Sequence, residues 1–84
     1  MKDILYYFQG DNMKEGDLVR IYFREYQRTG LIIRVIEKRE SMLPEWLTHG
    51  QQTYLVFCVS LKDKPHGGHF EVRKEDIVLL SEAQ

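Results

Sequence analysis

Between Asp17 and Leu80 the apolar residues fall into short blocks, each broken by charged or turn-forming residues. Val19, Ile21 and Phe23 alternate with Leu18, Arg20, Tyr22 and Arg24. Period-two alternation rich in β-branched and aromatic residues predicts a strand. Its second face mixes arginine with apolar groups, so that aliphatic stems cover the surface while charges stay in water. Glu25 to Thr29 breaks the pattern with charge and is expected to be a connection. Gly30 then opens Leu31-Ile32-Ile33-Arg34-Val35-Ile36, of which five residues in six are apolar. A run that dense predicts a strand buried on more than one side, or one that carries a bulge. Gly30 suits either a positive-φ turn or a close backbone approach. Gly16 to Ile36 is thus a hairpin on which the remaining strands are laid.

Thr53 to Leu61 is the most strand-like run. Leu55, Phe57, Val59 and Leu61 form one face and Tyr54, Val56, Cys58 and Ser60 the other. Both faces are largely apolar, which predicts a central strand. Lys62 to Gly68 is a turn-rich hairpin loop, and His69 to Arg73 alternates again. Lys74-Glu75-Asp76 predicts one 3₁₀ turn. Ile77 to Leu80 closes the set, followed by a polar tail over 81–84. The expected core is Val19, Ile21, Ile33, Val35, Val56, Phe57, Val59, Phe70 and Ile77. The pattern predicts an all-β domain over residues 13–80, a strongly bent antiparallel barrel of five to six strands.

Two segments exceed what a minimal barrel needs. Glu37 to Gln52 is one long loop, with a short helix expected near Pro44–Leu47. Pro44 suits the first helical position, Leu43 the cap, and His49-Gly50 the stop. Trp46 there reads first as a lid over an open barrel end, and second as an anchor for a partner. Residues 1–12 form an arm or extra strand. Ile4, Leu5, Tyr6, Tyr7 and Phe8 are an apolar run ended by Gly-Asp-Asn turn chemistry. Leu5 to Gly10 also resembles the end of a protease-cleavage linker, with an extra Tyr and without the upstream Glu-Asn, so the arm is either native or foreign. As a native segment it is expected to dock on a neighbour, with Trp46 and Leu47 as a second anchor.

Composition narrows the function. The chain has 84 residues, 43% of them hydrophobic, and a formal net charge of −1. That supports one small domain and argues against a generally basic nucleic-acid binder. Residues 24–39 hold five basic groups against two acidic ones, a local charge of +3. Residues 40–84 hold four basic against seven acidic, a local charge of −3. Arg24, Arg28 and Arg34 are therefore the candidate polyanion patch, and Tyr22, Phe23 and Tyr26 between them supply faces on which bases could stack. No apolar run approaches the roughly 20 residues that span a bilayer. No secretory signal is evident, and the single Cys58 forbids an intrachain disulfide. The expected location is the cytoplasm of a host cell or a virion, without secretion or membrane insertion.

Candidate chemistry is sparse. His66-x-x-His69 and Cys58 match no zinc spacing, and Cys58 in a strand reads as a small hydrophobe. Gly67-Gly68 lacks the lysine and helix of a phosphate loop. No catalytic residue, metal or cofactor is expected.

Met13-Lys14-x-Gly16-Asp17-Leu18-Val19-Arg20 opens the domain, Gly30-Leu31-Ile32-Ile33 follows, and Val72-Arg73-Lys74-Glu75-Asp76-Ile77 comes near its end. This order resembles the SH3-like small barrels, including Tudor-like and KOW-like domains. It is most similar to short SH3-like proteins of tailed bacteriophages from marine and cyanobacterial hosts. Those often start with Gly-Asp-Leu-Val and close with Lys-x-Asp-Leu. The resemblance implies an SH3-like barrel and a non-catalytic protein-interaction module, a virion component or small accessory protein. A nucleic-acid-binding barrel is the alternative it leaves open. The arm and the Ser41 to Gln52 segment stand outside that pattern.

Overall fold

The organising stretch folds as a hairpin in a computed structural model that describes residues 13–60 and 67–83. Strands β1 (Leu18–Phe23) and β2 (Tyr26–Ile36) pair antiparallel from Leu18 opposite Leu31 to Phe23 opposite Tyr26. Only Arg24 and Glu25 connect them. Arg24 takes φ 58°, the left-handed conformation that matches a tight hairpin to the twist of its strands. The expected connection over Glu25 to Thr29 is therefore mostly strand. Gln27, Arg28 and Thr29 stand opposite Tyr22, Ile21 and Arg20.

That register decides the role of Gly30. It stands opposite Val19, and a Cβ there would lie 2.5 Å from Val56 Cγ1 and 2.9 Å from Cys58 Sγ. Glycine is required by the close approach and not by a turn. The dense run after it resolves through a bulge. Alternation buries Ile32 and turns Ile33 outward; the register with β3 (Thr53–Cys58) shifts between Ile32 and Arg34, so that Arg34 also faces outward and Ile36 returns to the buried side.

β4 (Gly68–Val72) and β5 (Ile77–Ser81) complete one five-stranded sheet in the order β4-β3-β2-β1-β5. Its edge strands are consecutive in sequence, joined through Arg73 and the 3₁₀ turn Lys74–Asp76. In a flat sheet those edges would be about 19 Å apart, four strand spacings. A 3₁₀ turn advances about 2 Å per residue and cannot cover that distance. The sheet is therefore rolled until its edges approach, giving the small barrel-like all-β fold expected.

The rolled sheet encloses Met13, Val19, Ile21, Ile32, Tyr54, Val56, Cys58, Val72 and Ile77, with Tyr26, Val35, Phe70 and Leu79 packed partly against them. Three expected core residues lie outside. Ile33 alternates outward beside the buried Ile32, and Val59 follows the last residue of β3. Phe57 lies on the outer face, 36% exposed, because the register turns Tyr54, Val56 and Cys58 inward. The expected polar tail is also more engaged than its composition suggests. Ser81 belongs to β5, and Ala83 N–H donates to Asp17 Oδ1 at 2.7 Å. Asp17 is buried and also accepts from Lys14 N–H at 2.9 Å and Lys14 Nζ at 3.3 Å, so it ties both ends of the barrel together.

A candidate interaction site on the long loop

The loop from Glu37 to Gln52 contains a 3₁₀ turn, Lys38–Glu40, and a single helical turn, α1 (Glu45–Thr48). Pro44 occupies the cap position and not the first helical one. Its carbonyl accepts from Leu47 N–H at 2.9 Å and Thr48 N–H at 3.2 Å. His49 and Gly50 end the turn with φ 57° and 73°, as the sequence suggested.

Two groups on the barrel hold this loop. Glu71, on β4, accepts from the Ser41 hydroxyl, from Thr53 Oγ1 at 2.5 Å and from Met42 N–H at 2.9 Å. Burial pushes the Glu71 carboxyl up, but those three donors and the charge of Arg34 outweigh it and leave it below its ordinary value. Arg73 donates through Nη1 to the Leu47 carbonyl at 3.3 Å, while its other nitrogens grip Asp76 at 2.8 and 3.1 Å.

Between these anchors the loop presents apolar side chains to water. Met42 is 89% exposed and Trp46 76%. Trp46 is not the lid favoured by the sequence, because α1 turns it away from the barrel. The adjoining Leu43 and Leu47 face inward instead, over a cleft of about 280 Å³ whose other apolar walls include Phe23, Tyr26 and Phe70. The Tyr26 and Phe70 rings meet there, centroids 5.4 Å apart at 55°. Glu71, Arg73 and Asp76 edge the cleft, each engaged in the bonds above.

The predicted site residues thus separate. Trp46 and Leu47 come together on α1. Ile4, Leu5, Tyr6, Tyr7 and Phe8 lie outside the described residues. Arg24, Arg28 and Arg34 do not make one patch. Arg24 sits in the hairpin turn, 5.3 Å from the Phe23 ring centroid. Arg28 is turned inward by strand alternation, buried, and donates to the Val59 carbonyl. Arg34 lies six residues further along β2 and pairs with Glu40 at 3.2 Å. Phe23 and Tyr26 were singled out only as faces on which bases could stack, while Met42, Leu43 and Phe70 escaped sequence reasoning as site residues. The one signal for them was the Met42-Leu43 pair ahead of Pro44 in an otherwise polar loop.

The reactive groups are quiet. Burial pushes the Cys58 thiol up, and the Tyr26 hydroxyl and Arg28 charge only partly oppose this, so the weakly nucleophilic protonated form prevails. Among the described residues no three His, Cys, Asp or Glu side chains cluster as metal ligands, and no buried side-chain nitrogen or oxygen lacks a hydrogen-bond partner. His66 lies outside those residues. No helix among them is long and apolar enough to cross a membrane. Compared with family models, curated proteins and solved structures, the chain finds no match.

Proposed function

We propose that this protein is a non-catalytic protein-binding module that engages its partner through the Met42–Leu47 loop and the cleft beneath it. The carrying observation is that Trp46 is 76% exposed on a loop whose backbone is nonetheless fixed by Glu71 and Arg73. A large aromatic group held ready in water costs little further ordering on binding, and Trp is the side chain most enriched at binding hot spots. The cleft adds a recess for an apolar side chain of the partner. The further placement as a phage virion component or small accessory protein rests on the sequence resemblance. The nucleic-acid alternative draws less support, since Arg28 is buried and Arg34 is paired.

Trp46 is the sole tryptophan, so it reports on its own site. Free protein should show the red-shifted emission and ready acrylamide quenching of a solvated indole. Peptides selected from a displayed random library against the full chain should shift that emission to the blue. Their affinity should fall by at least about tenfold, roughly 1.4 kcal/mol, in Trp46→Ala at an unchanged melting temperature. Selected peptides that bind Trp46→Ala as tightly as the native chain would overturn the assignment.

A further inference from the structure

The apolar cleft under the long loop has a neighbour of different chemistry. A second recess, of about 250 Å³, is lined by Lys38, Arg39, Leu43, Glu45, Thr48 and Gly50. Leu43 also walls the cleft, so one side chain joins the two hollows. The backbone that carries both cations is fixed. Lys38 and Arg39 lie in the 3₁₀ turn after β2, where Glu40 N–H donates to the Glu37 carbonyl at 2.8 Å. The Glu40 carboxylate pairs with Arg34 at 3.2 Å and ties the turn to the strand. Glu71 grips Ser41 and Met42 directly after it.

The two hollows differ in how their charges are used. At the cleft, Glu71, Arg73 and Asp76 are all engaged in bonds within the protein. Lys38 and Arg39 are exposed, and neither has an ion pair or side-chain hydrogen bond to another described residue. The one acid among the lining residues is Glu45. It turns toward Gly50, where a Cβ would lie 3.5 Å from its Oε2. Two cations against one carboxylate leave the recess with a net charge of +1. An unused positive recess thus adjoins an apolar one, on the same loop that presents Trp46.

We propose that the partner is an acidic peptide segment, which sets an aspartate or glutamate against Lys38 and Arg39 and a nearby apolar side chain in the cleft. The proposal rests on the reading of the Trp46 loop as the binding surface and adds the chemical class of what it binds. The single charge of a carboxylate balances the recess, whereas the second charge of a phosphate would stand against Glu45 uncompensated. A nucleic-acid strand needs cations spaced along its phosphates. The nearest on β2 do not serve, because Arg34 is paired with Glu40 and Arg28 is buried. Exposed cations at the rim of a binding surface act chiefly on the rate of association and on its salt dependence.

Peptides selected from a displayed random library against the full chain are the probe. They should be enriched in Asp or Glu close to an aromatic or large aliphatic residue. Exchanging that acid for its amide should weaken binding about three- to tenfold, mainly through slower association, and the difference should shrink as salt is raised. Lys38→Gln with Arg39→Gln should weaken the acidic peptides to the same extent and leave their amide versions unaffected, at an unchanged melting temperature. Trp46-dependent peptides that lack an acid, or acidic peptides indifferent to both exchanges, would overturn the proposal and leave the Trp46 reading intact. Peptides that bind Trp46→Ala as tightly as the native chain, or a library that yields no binder, would overturn both. Tighter binding when phosphoserine replaces the acid, or a labelled oligothymidylate whose binding is lost in the glutamine pair, would overturn the choice of a carboxylate-bearing peptide.

Discussion

Gly30 and Asp17 show how single positions constrain this barrel. At Gly30 β2 passes close to β3, and any Cβ there meets Val56, Cys58 and the Phe57 carbonyl oxygen within 3 Å. Neither a backbone oxygen nor a packed core can retreat far. Gly30→Ala should therefore destabilise the protein by about 1–3 kcal/mol, the usual effect of overpacking, despite the higher strand propensity of alanine. Equilibrium urea unfolding checks this, and an unchanged midpoint would contradict the close approach. Asp17 acts by charge. Burial raises its carboxyl, but the Ala83 and Lys14 N–H groups, with the Lys14 side chain, overcome this and hold it below its ordinary value. Tyr26 and Cys58 form the complementary case, each pushed up chiefly by burial.

At the scale of elements, the long loop depends on one side chain of β4. Glu71 has a lowered carboxyl pKa, so its contribution to stability is complete above the ordinary carboxylate range. That contribution is lost as pH falls through the lowered value, because the unfolded chain takes up its proton first. Acidification should release the Ser41 to Leu43 segment. Glu71→Gln should do the same at neutral pH, since an amide offers one acceptor oxygen where the carboxylate offers two. Hydrogen exchange of the Met42 amide should speed up several-fold in that variant, while amides in β1 and β2 keep their protection. Equal acceleration throughout the sheet would show that Glu71 supports the barrel as a whole and not the loop. The hairpin of β1 and β2 makes a parallel point. Its two-residue turn uses Arg24 where glycine or asparagine is customary, so local preference there yields to the pairing of the strands.

For the molecule as a whole, stability depends on which face of the sheet is rolled inward. Tyr54 is fully buried and central to the core, whereas Phe57 on the same strand faces outward. Tyr54→Ala should cost about 3–5 kcal/mol, enough to threaten a domain of this size. Phe57→Ala should cost about 1 kcal/mol, most of it from the His69 contact. The core expected from the sequence, which counts Phe57 and omits Tyr54, would assign the larger loss to Phe57. Thermal melts of the two variants distinguish the faces directly, and a larger loss at Phe57 would mean that β3 is inverted.

Much of this architecture is legible in the chain because it depends on local pattern. Alternation in β1, the 3₁₀ turn at Lys74–Asp76 and the stop at His49-Gly50 follow from nearby residues alone. The crowded run after Gly30 allowed either double burial or a bulge, and only its register with β3 decides for the bulge. What the pattern left open is decided by partners distant in sequence. β3 is apolar on both faces, and only its register with β2 turns Val56 inward and Phe57 outward. Arg28 lies in a segment that composition marks as a connection, and only the tight turn at Arg24-Glu25 places it within a strand and inside. The interaction site divides in the same way. Trp46 and Leu47 are conspicuous in a polar loop, and Phe23 and Tyr26 are paired by the tight hairpin, but Phe70 comes from β4 and joins them only through the tertiary fold. Period-two alternation specifies that a strand has two faces. Which face is buried is a property of the closed sheet, because burial belongs to pairs of residues brought together by folding.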